Sequence, residues 1–208
     1  EDTSKYFDYI GGRGINQFLL FQMLGPKVKP LDPENVIIFG SGPMVGTLIP
    51  ATCRLSVDFK NVISGGVGSG NCGGQFAAEM KFAGYDHIVI TGRSQAPVYL
   101  YIHNDRVLFR PAGHLWGKTT WDTENTIKEE EKEKAIKTLT IGPAGENLAK
   151  IAAIIGDRGR AAAYGGGGAV FGSKNLKAIA IRGTNAVKAA HPKELLKELR
   201  HYRAEIIE

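Results

Sequence analysis

The stretch GQFAAEMKFAGYDHIVITG (residues 74–92) has a second copy in the same chain, GGGGAVFGSKNLKAIAIRG (residues 165–183). The two copies align without a gap, and each is typical of a glycine-rich loop, a short helix and a strand that ends in glycine. A Gly-Pro pair, at residues 42–43 and 142–143, precedes each copy and follows an apolar strand. We therefore expect an internal repeat with a pseudo-two-fold axis, whose two glycine loops face a common point. Chance similarity between glycine-rich units is the competing interpretation.

The rest of the chain predicts a mixture of strands and helices around this repeat. Residues 54–60 alternate between polar and apolar side chains, which predicts a half-buried strand with Arg54 on its polar side. The charged segment 119–134 predicts a solvent-exposed helix. Other helices are predicted at 15–24, 75–83 and 192–207, a hairpin at 97–110, and other strands at 36–41, 87–92, 136–141, 151–155 and 176–182.

Composition limits the class of protein. The chain has 208 residues, of which 43% are hydrophobic, so it can bury one sizeable core. No stretch approaches the ~20 apolar residues of a membrane span. The net charge of +5 is spread along the chain without a basic arm, so we expect neither nucleic acid nor membrane as a partner. Cys53 and Cys72 form no metal-ligand spacing and no disulfide framework, which favours an intracellular, cytoplasmic protein.

The glycine loops do not match the common nucleotide-binding motifs. In residues 165–174, Ser173 precedes Lys174, whereas a P-loop needs Lys directly after the last Gly and then Ser or Thr. The segment 40–46 follows a strand, but Pro43 and its last spacing depart from the Rossmann fingerprint. Both loops can still bring backbone groups close to a ligand, because glycine has no Cβ. Arginines are suited to an anionic ligand, and one accompanies each loop in its half of the chain, Arg54 and Arg160.

Several long strings together resemble one known family, the aldehyde ferredoxin oxidoreductases. From about Tyr9 to Thr184 the chain resembles their N-terminal domain, in collinear order. The resemblance implies an α+β fold of two β-sheets related by a pseudo-two-fold, with short helices. On that base the family holds tungsten or molybdenum between two pyranopterins. The strings that carry the resemblance are DPENVIIFGSGPMVGT, GGQFAAEMKFAGYDHIVITG, HLWGKTTWDTE, IGPAGENLAKIAAII and GSKNLKAIAIRGT.

The resemblance also assigns roles to single residues. Arg54, Gly73 and Arg160 match residues that contact the pterins. Asn71 and Ala161 match residues whose backbone carbonyls hold a magnesium ion between the pterin phosphates. Backbone and phosphate oxygens are ordinary ligands for this cation.

Two of the implied cofactor-binding positions depart from the family pattern. Where the family usually has Gly and then Arg, this chain has Ala163 and Tyr164. We expect one guanidinium contact to be lost there, or replaced by the tyrosine ring and its phenol. Cys53 and Cys72 stand where small residues are common, which favours packing over metal ligation.

The implied function is that of one domain in a longer enzyme. We expect residues 1–184 to bind the cofactor and residues 185–208 to be a linker and helix that lead into a downstream helical domain. The implied reaction oxidises an aldehyde to a carboxylic acid and reduces ferredoxin, in an anaerobic setting. The 4Fe-4S ligands and the catalytic groups are expected outside this chain, which alone should be inactive, and a homodimer stays open. The alternatives are reduction of aromatic acyl-CoA thioesters and a non-catalytic metallopterin-binding module.

Overall fold

The structure, a computed structural model, describes the backbone of residues 4–207 and the side chains of residues 4–205. The helices are α1 (Arg13–Met23), α2 (Phe76–Phe82), α3 (Thr120–Glu130), α4 (Pro143–Glu146), α5 (Gly167–Ser173) and α6 (Pro192–Ile207). The strands are β1 (Ile37–Ser41), β2 (Leu55–Lys60), β3 (Val67–Cys72), β4 (His87–Ile90), β5 (Val98–His103), β6 (Arg106–Pro111), β7 (Lys137–Thr140), β8 (Ile154–Gly156), β9 (Arg160–Ala162) and β10 (Leu176–Arg182).

The strands form two sheets, so the predicted α+β class with two sheets is confirmed. The first sheet has the order β3-β2-β1-β4, and all its pairs are antiparallel. The second has the order β6-β5-β10-β7-β8-β9, in which only the β10–β5 pair is parallel. The strands β9-β8-β7-β10 therefore repeat the connectivity of β3-β2-β1-β4.

One hydrophobic core joins the two sheets. Phe39 and Val57 of the first sheet share a single buried cluster with Ile179 of the second, and with residues of α2 and α5. The ring centroids of Phe39 and Phe171, which lies on α5, are 5.7 Å apart. Separate apolar clusters lie under α1, beside the first sheet, and around Ile127 of α3, beside the second. The two repeat helices are thus central layers, where burial of their apolar side chains stabilises the fold.

The predicted internal repeat is confirmed by the element boundaries and by the strand register. Helices α2 and α5 occupy the same positions of the sequence alignment, and β4 and β10 follow at matching positions. Across the first sheet, paired residues form the row His87, Gly40, Ser56 and Asn71. The corresponding row of the second sheet is Ala178, Thr140, Ile155 and Ala161. Asn71 and Ala161 therefore hold equivalent positions in the two halves.

Two sequence predictions about burial were wrong. Strand β2 is buried on both faces, because α1 covers the face that carries Ser56 and Asp58. Helix α3 ends at Glu130 and buries one face against the second sheet, through Thr123, Glu124 and Ile127. The charged segment 119–134 is therefore only partly exposed.

Candidate functional site

A polar cluster lies where β2 begins and β3 ends. Arg54 immediately precedes β2, and its Nη2 donates a hydrogen bond to Oδ1 of Asn71 on β3. A Cβ added to Gly73 would lie 3.8 Å from the Arg54 guanidinium, which leaves space beside that group. The structure thus brings together three of the residues predicted to form the site.

A cavity of about 370 Å³ opens beside this cluster. Arg54 and Asn71 line it together with Arg13, at the start of α1, and with backbone at Gly12 and Gly40. Among the described residues, two arginines and no acidic residue line this cavity, which suits a negatively charged ligand. Arg13 was missed by the sequence analysis, although it lies in the glycine-rich string GGRG that precedes α1.

The edge strands of the two sheets meet next to this cluster. A Cβ built on Gly70 of β3 would lie 3.5 Å from Cβ of Ala162 on β9. The neighbouring residues on these strands, Asn71 and Ala161, are the register-equivalent pair of the two halves. Both are exposed. The two predicted metal-binding residues therefore lie one position away from the contact between the repeats.

Arg160 lies on the other side of the same loop. A Cβ on Gly74 would lie 3.1 Å from Cγ of Arg160 and 2.2 Å from Oδ2 of Asp157. The Arg160 side chain is exposed, and within the described residues its guanidinium has no hydrogen bond or ion pair with another side chain. Arg54 and Arg160 thus flank residues 71–74 from the two halves of the chain.

Ala163 and Tyr164 lie elsewhere. They line a separate cavity of about 270 Å³ with Asn61, Ile63 and Lys150. Tyr164 is 71% exposed, so its ring is open to contact from outside this chain. The structure does not bring these two residues into the cavity that Arg54 and Asn71 line, and their role in cofactor binding stays a prediction.

The four glycines at 165–168 pack closely against neighbouring parts of the chain. All four are buried. A Cβ on Gly166 would lie 2.4 Å from the backbone oxygen of Lys150, and one on Gly167 would lie 2.9 Å from the ring of Phe59. Gly165 and Gly166 also line the cavity beside Tyr164, so their approach to a ligand stays a prediction. Only glycine allows α5 to lie this close to both sheets.

The side chain of Lys174 is also buried. Its Nζ donates hydrogen bonds to the backbone oxygens of Pro33, at 2.9 Å, and Gly92, at 3.0 Å. The residue is 2% exposed, and burial lowers the pKa of its ammonium to about 8. An ammonium held in this way cannot reach a phosphate outside the protein, which agrees with the rejection of a P-loop.

The two cysteines lie in different environments. Burial raises the pKa of Cys72 to about 11; Asp157 adds to this rise, and Arg54 opposes it. The thiol of Cys72 is therefore protonated at neutral pH. Cys53 is exposed, and both cysteines are free. Among the described residues, no cluster of His, Cys, Asp and Glu side chains is arranged to hold a metal ion.

The chain matches known proteins along most of its length. Residues 1–183 match the family model described as "Aldehyde ferredoxin oxidoreductase, N-terminal domain". The tungsten-containing aldehyde ferredoxin oxidoreductase of Pyrococcus furiosus is 46% identical over 90% of this chain and 31% of that protein. The WOR-like subunit of an aliphatic sulfonate oxidoreductase from the same organism is 38% identical over 96% of this chain and 34% of that protein.

A solved structure has the same fold. It is the active-site complex BamBC of benzoyl coenzyme A reductase with 1,5-dienoyl-CoA, which matches with a TM-score of 0.93 and 38% identity. The match covers 96% of this chain and 30% of that one, so the chain spans about a third of the length of the proteins it resembles. No helix within residues 4–207 is long and apolar enough to span a bilayer. By sequence and by fold, the chain belongs to the aldehyde ferredoxin oxidoreductase family and corresponds to its N-terminal domain.

Proposed function

We propose that this chain is the cofactor-binding domain of a tungsten-dependent enzyme that oxidises aldehydes to carboxylic acids. The observation that supports the proposal is the contact of β3 with β9 at Gly70 and Ala162, one position away from Asn71 and Ala161. A ligand with two similar halves and two phosphates fits a site built from two repeats. When bound, the tungsten bis-pyranopterin would supply the redox chemistry.

The residues on the two edge strands are suited to hold such a ligand. Arg54 and Arg160 would each donate charge-assisted hydrogen bonds to one pterin half, and Gly73 leaves room beside the first of them. The backbone carbonyls of Asn71 and Ala161 would share a Mg²⁺ ion with the phosphates. Within residues 4–205, no acidic residue lines the cavity beside Arg54, so the positive charge there stays available to an anion.

The remaining parts of the enzyme are proposed to lie in the complete protein. Conversion of an aldehyde and water into a carboxylic acid releases two electrons and two protons. We propose that the electrons pass through a 4Fe-4S cluster, bound outside this chain, to ferredoxin in the cytoplasm of an anaerobic cell. Residues 185–208, which include α6, would connect the cofactor domain to the rest of the protein.

A second reaction is favoured by one specific observation. The solved structure with a TM-score of 0.93 belongs to an enzyme complex named for the reduction of benzoyl coenzyme A. The same cofactor domain could therefore serve in the reduction of an aromatic acyl-CoA thioester. Assays of the complete, tungsten-loaded protein with aldehydes and with benzoyl-CoA would distinguish the two reactions.

The proposed cofactor site is tested by removing its arginines from the complete protein. We expect Arg54→Ala and Arg160→Ala each to lower the tungsten and pterin content of the purified protein. Each change removes charge-assisted hydrogen bonds worth about 1.5–3 kcal/mol. Elemental analysis and pterin fluorescence after oxidation measure the two contents.

Arg106→Ala is the matched control. Arg106 is also an exposed arginine on an edge strand of the second sheet, but β6 lies at the opposite edge from β9. We expect this variant to keep its tungsten and pterin. Full occupancy in the Arg54 and Arg160 variants, or an equal loss in the Arg106 variant, would contradict the assignment.

A further inference from the structure

In each half of the molecule, a polar side chain contacts the glycine-rich loop of the other half. Asp157 is the first residue after β8, and its carboxylate accepts a hydrogen bond from the backbone N–H of Gln75, at the start of α2. Asn61 is the first residue after β2, and its Nδ2 would lie 3.1 Å from a Cβ on Gly165. Gly74 and Gly165 are aligned in the repeat, so the two contacts are reciprocal.

The turn that carries Asp157 is held in an unusual conformation. Asp157 and Arg158 have φ values of 44° and 60°, in the left-handed region that non-glycine residues seldom adopt. The pairing of Gly156 with Arg160, on either side of the turn, closes it, and its two side chains bond to different partners. Arg158 donates a hydrogen bond to Oδ1 of Asn125 on α3, at 2.9 Å, while Asp157 bonds to the first half of the chain. Such strain persists only where the surroundings impose it.

We propose that Asp157 is a positioning residue, which fixes the Gly73–Gly74 loop of the first half against Arg160 of the second. The proposal rests on the proposed cofactor site and adds a residue to it. Oδ2 of Asp157 lies 2.2 Å from the place a Cβ would take on Gly74, so glycine at 74 leaves the carboxylate room to reach the Gln75 amide. The N–H at the start of α2 is therefore occupied by this carboxylate. Asp157 sets the position of the loop through this hydrogen bond.

The test compares Asp157→Ala and Asp157→Asn in the complete protein. In Asp157→Ala the Gln75 amide loses its acceptor, so hydrogen exchange in a peptide covering residues 72–80 should accelerate about tenfold, the scale of one lost charge-assisted hydrogen bond. Tungsten and pterin content should fall in the same variant. Asp157→Asn keeps an oxygen acceptor of the same shape and should restore most of both properties.

Arg158→Ala is the control, because it alters the same turn on the side that faces α3. We expect it to leave the exchange of residues 72–80 and the cofactor content unchanged. Unchanged exchange or full cofactor content in Asp157→Ala would overturn the proposal, as would an equal loss in Arg158→Ala. If Arg54→Ala and Arg160→Ala lose cofactor while Asp157→Ala keeps it, the positioning role fails and the cofactor site stands.

Discussion

Asn16 ties α1 to the first sheet through a buried polar network. The residue is fully buried, and its Nδ2 donates to Oδ2 of Asp58, at 2.8 Å. Its Oδ1 lies 2.7 Å from Nδ1 of His87. Since the amide oxygen only accepts, Nδ1 of His87 is the donor and its Nε2 carries a lone pair. This Nε2 is buried, and nothing in the described part of the chain bonds to it.

The His87 ring predicts a pH dependence of stability. Burial lowers its pKa below the ordinary value of 6.5; Asp86 and Asp58 raise it, and Lys81 lowers it further. The unfolded chain therefore takes up the proton first as the pH falls, so stability is lost as the pH falls from about 6.5 towards the folded-state pKa. In the complete protein, the thermal midpoint should fall over this window, and His87→Gln should reduce the slope. An identical slope in the variant would contradict this role.

The burial of the side chains in this network could be predicted from the sequence only in part. The alternation in β2 correctly separated Leu55, Val57 and Phe59 from the polar positions. It could not reveal that Ser56 and Asp58 are buried, because their partner Asn16 lies 42 residues away from Asp58 in the chain. Arg54 could be proposed as a site residue from the pattern of the strand that it precedes. The hydrogen bond between Asp157 and Gln75 could not be predicted, because it depends on how the two halves of the chain pack together.

At the scale of elements, α4 and α5 pack through bare glycine backbones. A Cβ on Gly172 of α5 would lie 2.0 Å from the backbone oxygen of Gly145 on α4. A Cβ on Gly145 would in turn lie 2.8 Å from the backbone oxygen of Gly168. This close approach lets α5 fit between the sheets with every residue buried.

We expect Gly172→Ala to destabilise the protein. Alanine favours a helix by about 1 kcal/mol over glycine, but the clash with backbone cannot be relieved by rotating a side chain. Overpacking of this kind costs about 1–3 kcal/mol or more, so the clash outweighs the gain. The thermal midpoint of the complete protein measures the effect.

Gly113→Ala is the control for that change, because a Cβ at Gly113 meets nothing within 4 Å and its φ is not positive. Gly113→Ala should change the free energy of unfolding by no more than about 0.5 kcal/mol, as is usual for surface substitutions. A Gly172→Ala variant as stable as Gly113→Ala would show that the two helices can separate without cost.

The elements that sequence reasoning missed are those whose glycines serve packing. Strand β3 is not predicted by the sequence pattern, because glycine is rare in strands. Its Gly68 packs against the Phe59 ring, which lies 2.7 Å from the place of a Cβ. Strand β9 has three residues and lacks an apolar run. Helix α6 was predicted with its observed bounds, because a proline begins it and its apolar residues recur at helical spacing.

At the scale of the whole molecule, a repeated unit explains both the fold and the site. Each half contributes an antiparallel set of four strands and one central helix, and their edge strands β3 and β9 meet. The repeat could be recognised from aligned glycines in the sequence. The meeting of the two edges could not, since it depends on how the two sheets pack around a common core. The division into residues 1–184 and 185–208 stays a prediction.

The central claim is that the two edge strands together form one cofactor site. A crystal structure of the complete, tungsten-loaded protein tests it directly, with anomalous scattering from tungsten locating the metal. We predict that the pterins lie against β3 and β9, and that the carbonyl oxygens of Asn71 and Ala161 both lie about 2.0–2.1 Å from one Mg²⁺ ion. Tungsten bound away from these strands, or an ion that contacts only one of the two carbonyls, would contradict the account.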